Sequence, residues 1–283
     1  MSFMSSILSA TFACFLPLLA LAQKSPEVIS KEAFTIGETI QFQSDILGEL
    51  RQLNVYIPLG YNEQEKKDYP VIYLLDGSMD EDVIHISGLV QFCSFSWINV
   101  VEESIVVGIS NVDRKRDFTF PTTIEEDKKT FPTTGGSVKF IQFLQEELVP
   151  FVENNYRVSS QSTLIGQSLG GLLATQILLK SPELFDTYFI VSPSLWWDDF
   201  SLLKEGTSRI SEPKKIFVAV GEEGPEMEAG AMELIAMLQR LRNRENEKTF
   251  LLEYAFLSQF NHGDILHAAV YEGFLRFSKS EEE

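Results

Sequence analysis

The stretch Thr163-Leu164-Ile165-Gly166-Gln167-Ser168-Leu169-Gly170-Gly171 decides how this chain reads, because Leu172-Leu173-Ala174-Thr175-Gln176-Ile177-Leu178-Leu179 follows it at once. A short apolar strand runs into Gly-x-Ser-x-Gly, and a helical pattern begins on the far side. In that setting the serine occupies a sharp strand-to-helix turn, held in a strained backbone conformation with its hydroxyl projecting from the sheet edge. Gly166 and Gly170 lack a Cβ, so strand and helix can approach closely around the turn. The helix start behind Ser168 supplies free backbone N–H groups and a positive dipole end where an oxyanion would form. The motif predicts a serine nucleophile.

Working outward, continuous apolar runs recur along the chain: Val71 to Leu75, Ile105 to Ile109, Tyr188 to Val191, Ile216 to Val220 and Leu251 to Phe256. Runs of this length suit central strands covered on both faces. Thr39 to Gln43 and Arg51 to Ile57 instead alternate apolar and polar residues, as half-exposed opening strands joined through Gly48 would. Between the runs lie helical patterns: one holding His85, one on Ile141, Leu144, Leu148 and Val152 with Ser137 as the expected N-cap, one on Met232, Ile235 and Leu238, and a last over Ile265 to Phe277. Strand and helix alternating through one chain predict an α/β fold, a mostly parallel central sheet flanked by helices on both faces. Arg114 to Thr134 reads as the longest loop. Gly135-Gly136 is no phosphate loop, since no Gly-Lys-Ser/Thr follows it.

Composition bounds the function. The 283 residues carry a formal net charge of -18, which argues against nucleic acid and against an anionic membrane surface. With 44% hydrophobic residues and 22 Phe, apolar surface for a large core is ample. Residues 1–22 read as a signal peptide: Ile7 to Leu21 is mostly apolar and Ala20-Leu21-Ala22 has the small-x-small form of a cleavage site. The run is short for a membrane span and is broken by Pro17. The expected organisation is therefore an exported protein, periplasmic or secreted, with one domain over residues 23–283 and no membrane attachment after cleavage. Cleavage leaves Cys93 as the single cysteine, in apolar surroundings that predict a buried, inert thiol. Three scattered histidines and one cysteine suggest no metal ligand set, and no cofactor is implied.

A serine hydroxyl needs a base. Of His85, His262 and His267, only His262 lies in a loop after a late strand, in Phe260-Asn261-His262-Gly263-Asp264, where a doubly wound sheet presents its carboxyl edge. His267 falls inside the last helix, and His85 in an early one. The imidazole in turn needs a carboxylate. The run Gly221-Glu222-Glu223-Gly224-Pro225-Glu226-Met227-Glu228 after strand Ile216–Val220 holds four candidates; spacing favours Glu223, with Glu222 and Glu226 open. The order Ser168, acid, His262 is that of α/β-hydrolases. The two oxyanion donors expected are the backbone N–H of Leu169 and that of Ser78, after the Val71–Leu75 strand.

Several of these segments together resemble the serine esterase family of the α/β-hydrolase superfamily, which includes siderophore (enterobactin-type) esterases, esterase D-like enzymes and mycolyltransferases. The carrying residues are Tyr69-Pro70-Val71-Ile72-Tyr73-Leu74-Leu75-Asp76-Gly77, Arg116-Asp117-Phe118-Thr119, Ile165 to Gly171, Ser192-Pro193-Ser194-Leu195-Trp196-Trp197-Asp198 and Asn261-His262-Gly263. The resemblance implies Ser168 as nucleophile, His262 as base, Glu223 as acid and the residue after Asp76-Gly77 as an oxyanion donor. It implies a carboxylester hydrolase working through an acyl-enzyme on a small-molecule ester, with siderophore lactones, feruloylated or acetylated polysaccharides and short-chain esters all fitting. An acyltransferase with the same triad and a non-catalytic binding homologue are the alternatives. Trp196 and Phe118 are expected to wall an acyl pocket. Arg116, with Arg114, is expected either to attract an anionic substrate or to form an ion pair with a neighbouring aspartate.

Overall fold

The computed structural model describes residues 26–61, 66–205, 210, 213–244 and 250–282, so the leader expected at residues 1–22 lies outside the described residues. Thr35–Glu283 forms one compact unit; of the remaining unit, Met1–Phe34, residues 26–34 are described and carry no helix or strand.

The alternating segments and the apolar runs become strands: β1 (Gly37–Ser44), β2 (Glu49–Tyr56), β3 (Tyr69–Leu74), β4 (Ile105–Ile109), β5 (Val158–Gln167), β6 (Thr187–Val191), β7 (Lys214–Gly221) and β8 (Phe250–Leu257). They form one sheet in the order β1-β2-β4-β3-β5-β6-β7-β8. The first two pairings, β1 with β2 and β2 with β4, are antiparallel; every later one is parallel. The crossovers are helical. In chain order the helices are α1 (Val83–Ser94), α2 (Arg114–Phe118), α3 (Glu125–Thr130), α4 (Ser137–Phe143), α5 (Val149–Asn155), α6 (Leu169–Lys180), α7 (Ser201–Lys204), α8 (Pro225–Arg244) and α9 (Ile265–Glu282).

Burial explains the patterning. All five residues of β4 are buried, as a continuous apolar run requires, whereas edge strand β1 is mostly exposed and alternates. Neighbours on a central strand face opposite layers: Tyr73, Val107, Leu164, Ile190 and Val218 pack with α6 and α8, while Ile72, Val106, Ile165, Phe189 and Phe217 pack with α1 and α9. Each such aliphatic side chain contributes about 1.5–3 kcal/mol of burial, so the two-sided core holds the carboxyl ends of β3 to β8 along one rigid edge.

Three local expectations change. The polar half of β5, Val158 to Thr163, pairs with β3 although it has no apolar alternation. Arg114 to Thr134 is not a plain loop but contains α2 and α3. Gly136, not Ser137, is the cap of α4, and no side chain caps it; Ser137 is already the first helical residue and is fully buried.

Candidate active site

β5 ends at Gln167 and α6 starts at Leu169, leaving Ser168 alone on the turn at φ 60 and ψ −121. A non-glycine residue there carries about 1–3 kcal/mol of strain and persists only where its surroundings fix it. They do: Ser168 N–H donates to Val191 O (3.1 Å), and Ser168 O accepts from Ser194 N–H (3.0 Å) and Leu172 N–H (2.9 Å). The glycines make the crossing possible, though not quite as the motif suggested. A Cβ on Gly166 would lie 2.4 Å from Gly170 O, and one on Gly171 2.9 Å from Val191 O; one on Gly170 would meet only ordinary contacts from 3.4 Å. Of the doubled pair, Gly171 rather than Gly170 is thus the tight one.

The acid and imidazole segments meet this turn. Glu222 N–H donates to Phe260 O (2.8 Å), joining the loop after β7 to the loop after β8, and Gln167 Nε2 donates to His262 O (2.5 Å), joining the latter to the serine turn. Within the last loop, Asn261 N–H donates to Asp264 Oδ1 (2.7 Å) and Gly263 N–H to Asn261 Oδ1 (2.8 Å), which holds His262 at the start of α9. His262 Nδ1 lies 2.5 Å from Glu223 Oε2. The other oxygen, Oε1, accepts from Gly221 N–H (2.9 Å) and from the Ser192 hydroxyl. Glu223's side chain is 1% exposed and that of His262 45%, a buried carboxylate steadying an imidazole open to solvent. Glu228 fixes the turn, accepting from Glu223 N–H (3.1 Å) and Gly224 N–H (3.0 Å). Among the four carboxylates of this run, Glu223 is the one on the histidine; Glu226 and Glu228 begin α8. The Ser168 hydroxyl itself sits 3.3 Å from Ser194 Oγ.

Leu169, as the first residue of α6, carries one of the N–H groups that a helix leaves without an internal partner. Ser78 follows Gly77, whose backbone runs so close to β4 that a Cβ there would fall 2.3 Å from Gly108 Cα. Its N–H donates to Glu81 Oε2 at 3.2 Å, so that donor is engaged. Behind it, Arg114 grips Asp76 with Nε to Oδ1 (2.6 Å) and Nη2 to Oδ2 (2.9 Å), and Nη2 also reaches Gln167 O (3.4 Å). Burial works against the guanidinium charge there, but the Asp76 pairing outweighs it and raises the Arg114 pKa.

Of the remaining expected pocket residues, Phe118 and Arg116 are engaged elsewhere. Phe118 is 1% exposed, packed against Phe140 in the core and covered by the Arg114 guanidinium, so its ring forms no open wall. Arg116 follows the ion-pair reading: its guanidinium is committed to Glu49 and Asp117, beside buried Arg51. Trp197 is core, with Nε1 donating to Phe120 O (2.9 Å), and Trp196 beside it is half-buried. Sequence reasoning missed Ser192 and the Asp76–Arg114 pair. Ser192 stood in the Ser192-Pro193-Ser194 signature, but nothing local tied it to a carboxylate 31 residues on.

Residues 44–263 match the protein family described as "Putative esterase". Ferri-bacillibactin esterase BesA of Bacillus subtilis is 31% identical over 212 residues, covering 68% of this chain and 73% of BesA. Among solved structures, the BES protein from Bacillus cereus superposes with a TM-score of 0.73 at 26% identity, covering 89% of this chain and 98% of that one. An IroE-like serine hydrolase from Shewanella oneidensis gives 0.71 at 26% identity, covering 86% and 80%. The sheet order, the serine turn and a family match across most of the chain agree: the chain belongs to this esterase family and is a carboxylic ester hydrolase on an α/β-hydrolase fold.

Proposed function

We propose that the chain is a serine esterase working through Ser168, His262 and Glu223, and that its substrates are siderophore-type or related aryl and acyl esters. The observation that carries the catalytic reading is the 2.5 Å contact between His262 and a buried Glu223, on the edge that also presents the strained Ser168. Glu223 fixes the imidazole with its Nδ1 proton facing the carboxylate, which leaves Nε2 free to accept the serine proton. Ser168 Oγ bonds to the ester carbonyl carbon as its proton passes to His262, and the carbonyl oxygen becomes an oxyanion received by Leu169 N–H and Ser78 N–H. For Ser78 to donate, Glu81 must release its N–H. His262 then protonates the leaving alcohol, the acyl-enzyme forms, and water repeats the sequence to free the acid and restore Ser168.

The substrate class rests on BesA, named for an iron-loaded siderophore ester, and on the half-buried Trp196 beside the motif, whose ring would suit an aromatic acyl group. The reading of export rests on the leader pattern of residues 1–22, and that of a single domain over residues 23–283 on the compactness of Thr35–Glu283. The test is hydrolysis of p-nitrophenyl butyrate and of a tri-catechol siderophore lactone by wild type and Ser168→Ala. Turnover of both by wild type and neither by the variant supports the reading. Retained activity in Ser168→Ala overturns the mechanism; turnover of the simple ester with none of the lactone overturns the substrate class alone.

A further inference from the structure

His85 and His267 lie 182 residues apart in sequence, yet the fold brings them together. His85, on α1, and His267, on the first turn of α9, place Nδ1 and Nε2 2.8 Å apart, with ring centroids at 4.6 Å, at the protein surface. Asp82 stands one turn before His85, a spacing that puts both on one side of the helix start. A ligand atom from each of Asp82, His85 and His267 falls within 4.8 Å of the other two. Asp82 occupies the N-cap of α1 but makes no capping bond with its carboxylate, which is what an N-cap aspartate ordinarily does. Two imidazole nitrogens, which share a hydrogen bond, and one uncommitted carboxylate oxygen thus lie within 4.8 Å of one another.

We infer that Asp82, His85 and His267 form a site for one divalent transition-metal ion of the zinc type, separate from the Ser168–His262–Glu223 constellation. The donor set selects the ion: imidazole suits zinc and its neighbours, whereas calcium and magnesium take shells of oxygen. Bonds of about 2.1 Å in a tetrahedron set ligand atoms roughly 3.4 Å apart. Occupation therefore moves the two nitrogens slightly apart from 2.8 Å and brings the half-buried Asp82 carboxylate, within 4.8 Å of both, to the same spacing, which small side-chain rotations achieve. Local charge favours a cation. Asp82 stands close enough to Asp76 and Glu81 to feel both as like charges, while the nearby cation Arg114 is already bound to Asp76. Water would fill the fourth position.

The location gives the site a consequence. α1 begins five residues after Ser78, and α9 begins three residues after His262. An ion held between the two helix starts would clamp together the segments that carry one expected oxyanion donor and the expected base. The site thus acts as a brace on the active-site edge and takes no part in the reaction.

The test uses untagged, chelator-treated protein titrated with ZnCl2 by calorimetry and with CoCl2 by visible absorption. The expected result is one ion per chain, cobalt bands of a tetrahedral or five-coordinate nitrogen–oxygen site, and a Tm rise of about 5–10 °C at a hundredfold excess of zinc over Kd. His85→Asn and His267→Asn should each weaken binding at least tenfold, while His262→Asn binds as wild type does. If one of the two variants fails to fold, judged by circular dichroism without metal, the other carries the test. The inference is overturned by the absence of saturable binding, by weak multi-site binding that neither variant changes, or by binding lost in His262→Asn instead.

Discussion

Replacing Glu223 by Gln tests how the carboxylate works, because the structure fixes how the amide would sit. Oε1 accepts from both Gly221 N–H and the Ser192 hydroxyl, so the single carbonyl oxygen of Gln must turn to that side. Its NH2 then faces His262 Nδ1, where Oε2 stood at 2.5 Å. An amide donor there requires Nδ1 to be the acceptor, which moves the ring proton to Nε2. The imidazole then has no lone pair for the Ser168 hydroxyl. The lost charge adds to this: opposite unit charges about 4 Å apart attract by about 4 kcal/mol at an effective dielectric constant near 20, and solvent at the half-open imidazole trims it to roughly 3. Each 1.36 kcal/mol is tenfold in rate, so kcat should fall about a thousandfold when wrong tautomer and lost charge are combined. KM should stay within about threefold, since the carboxylate acts on charge that develops only in the transition state. Steady-state hydrolysis of p-nitrophenyl butyrate reads both constants, with Glu226→Gln, in the first turn of α8, as the neighbouring control. A Glu223→Gln kcat within about fivefold of wild type, or a larger loss in Glu226→Gln, would show that Glu223 does not orient the imidazole.

Three further outcomes are expected. Gly166→Ala should cost about 1–3 kcal/mol, a Tm loss of about 2–12 °C by calorimetry, because its Cβ would meet the Gly170 carbonyl at 2.4 Å; an unchanged Tm would contradict the close crossing. Burial pushes the Cys93 thiol up to about 11, so iodoacetamide at pH 8 should leave its peptide unmodified in the native protein and alkylate it fully in denaturant, read by mass spectrometry; native alkylation at the unfolded rate would contradict it. Burial raises the Glu49 carboxyl, but its bonds to Arg116 and Arg51 outweigh that and hold its pKa below the usual carboxylate range. A depressed folded pKa means the contribution is complete above the unfolded value near 4.3 and is lost as pH falls through the folded one. Wild-type Tm should therefore drop toward the Glu49→Gln value as pH falls below about 4.3, and a gap between the two that widens on acidification would sink this.

The sheet was legible because its central strands are continuous apolar runs, and the serine turn because Gly166 is forced by the Gly170 backbone four residues on. β5 was underread for a physical reason: Val158 to Thr163 is polar and partly exposed, and pairs with β3 through backbone bonds that side-chain pattern does not report. The candidate triad was legible at Ser168 and His262 from their turns, and at Glu223 from its place after β7. What surrounds it was not: Ser192 on Glu223, Arg114 on Asp76 and His85 on His267 are contacts across 31, 38 and 182 residues, set by packing rather than by local pattern. Phe118 was misjudged in the same way and Arg116 stayed open between two readings, since an aromatic or an arginine beside a motif looks alike whether it faces a pocket, the core or an ion-pair network.

The claim at the centre of the account is that the Ser168 hydroxyl is the activated one. Reaction with a fluorophosphonate, followed by peptide mass spectrometry, measures this directly. One adduct per chain on Ser168, forming at least a hundredfold more slowly in His262→Ala, is expected. An adduct on Ser194, whose oxygen lies 3.3 Å away, or labelling of Ser168 at an equal rate without His262, would contradict it.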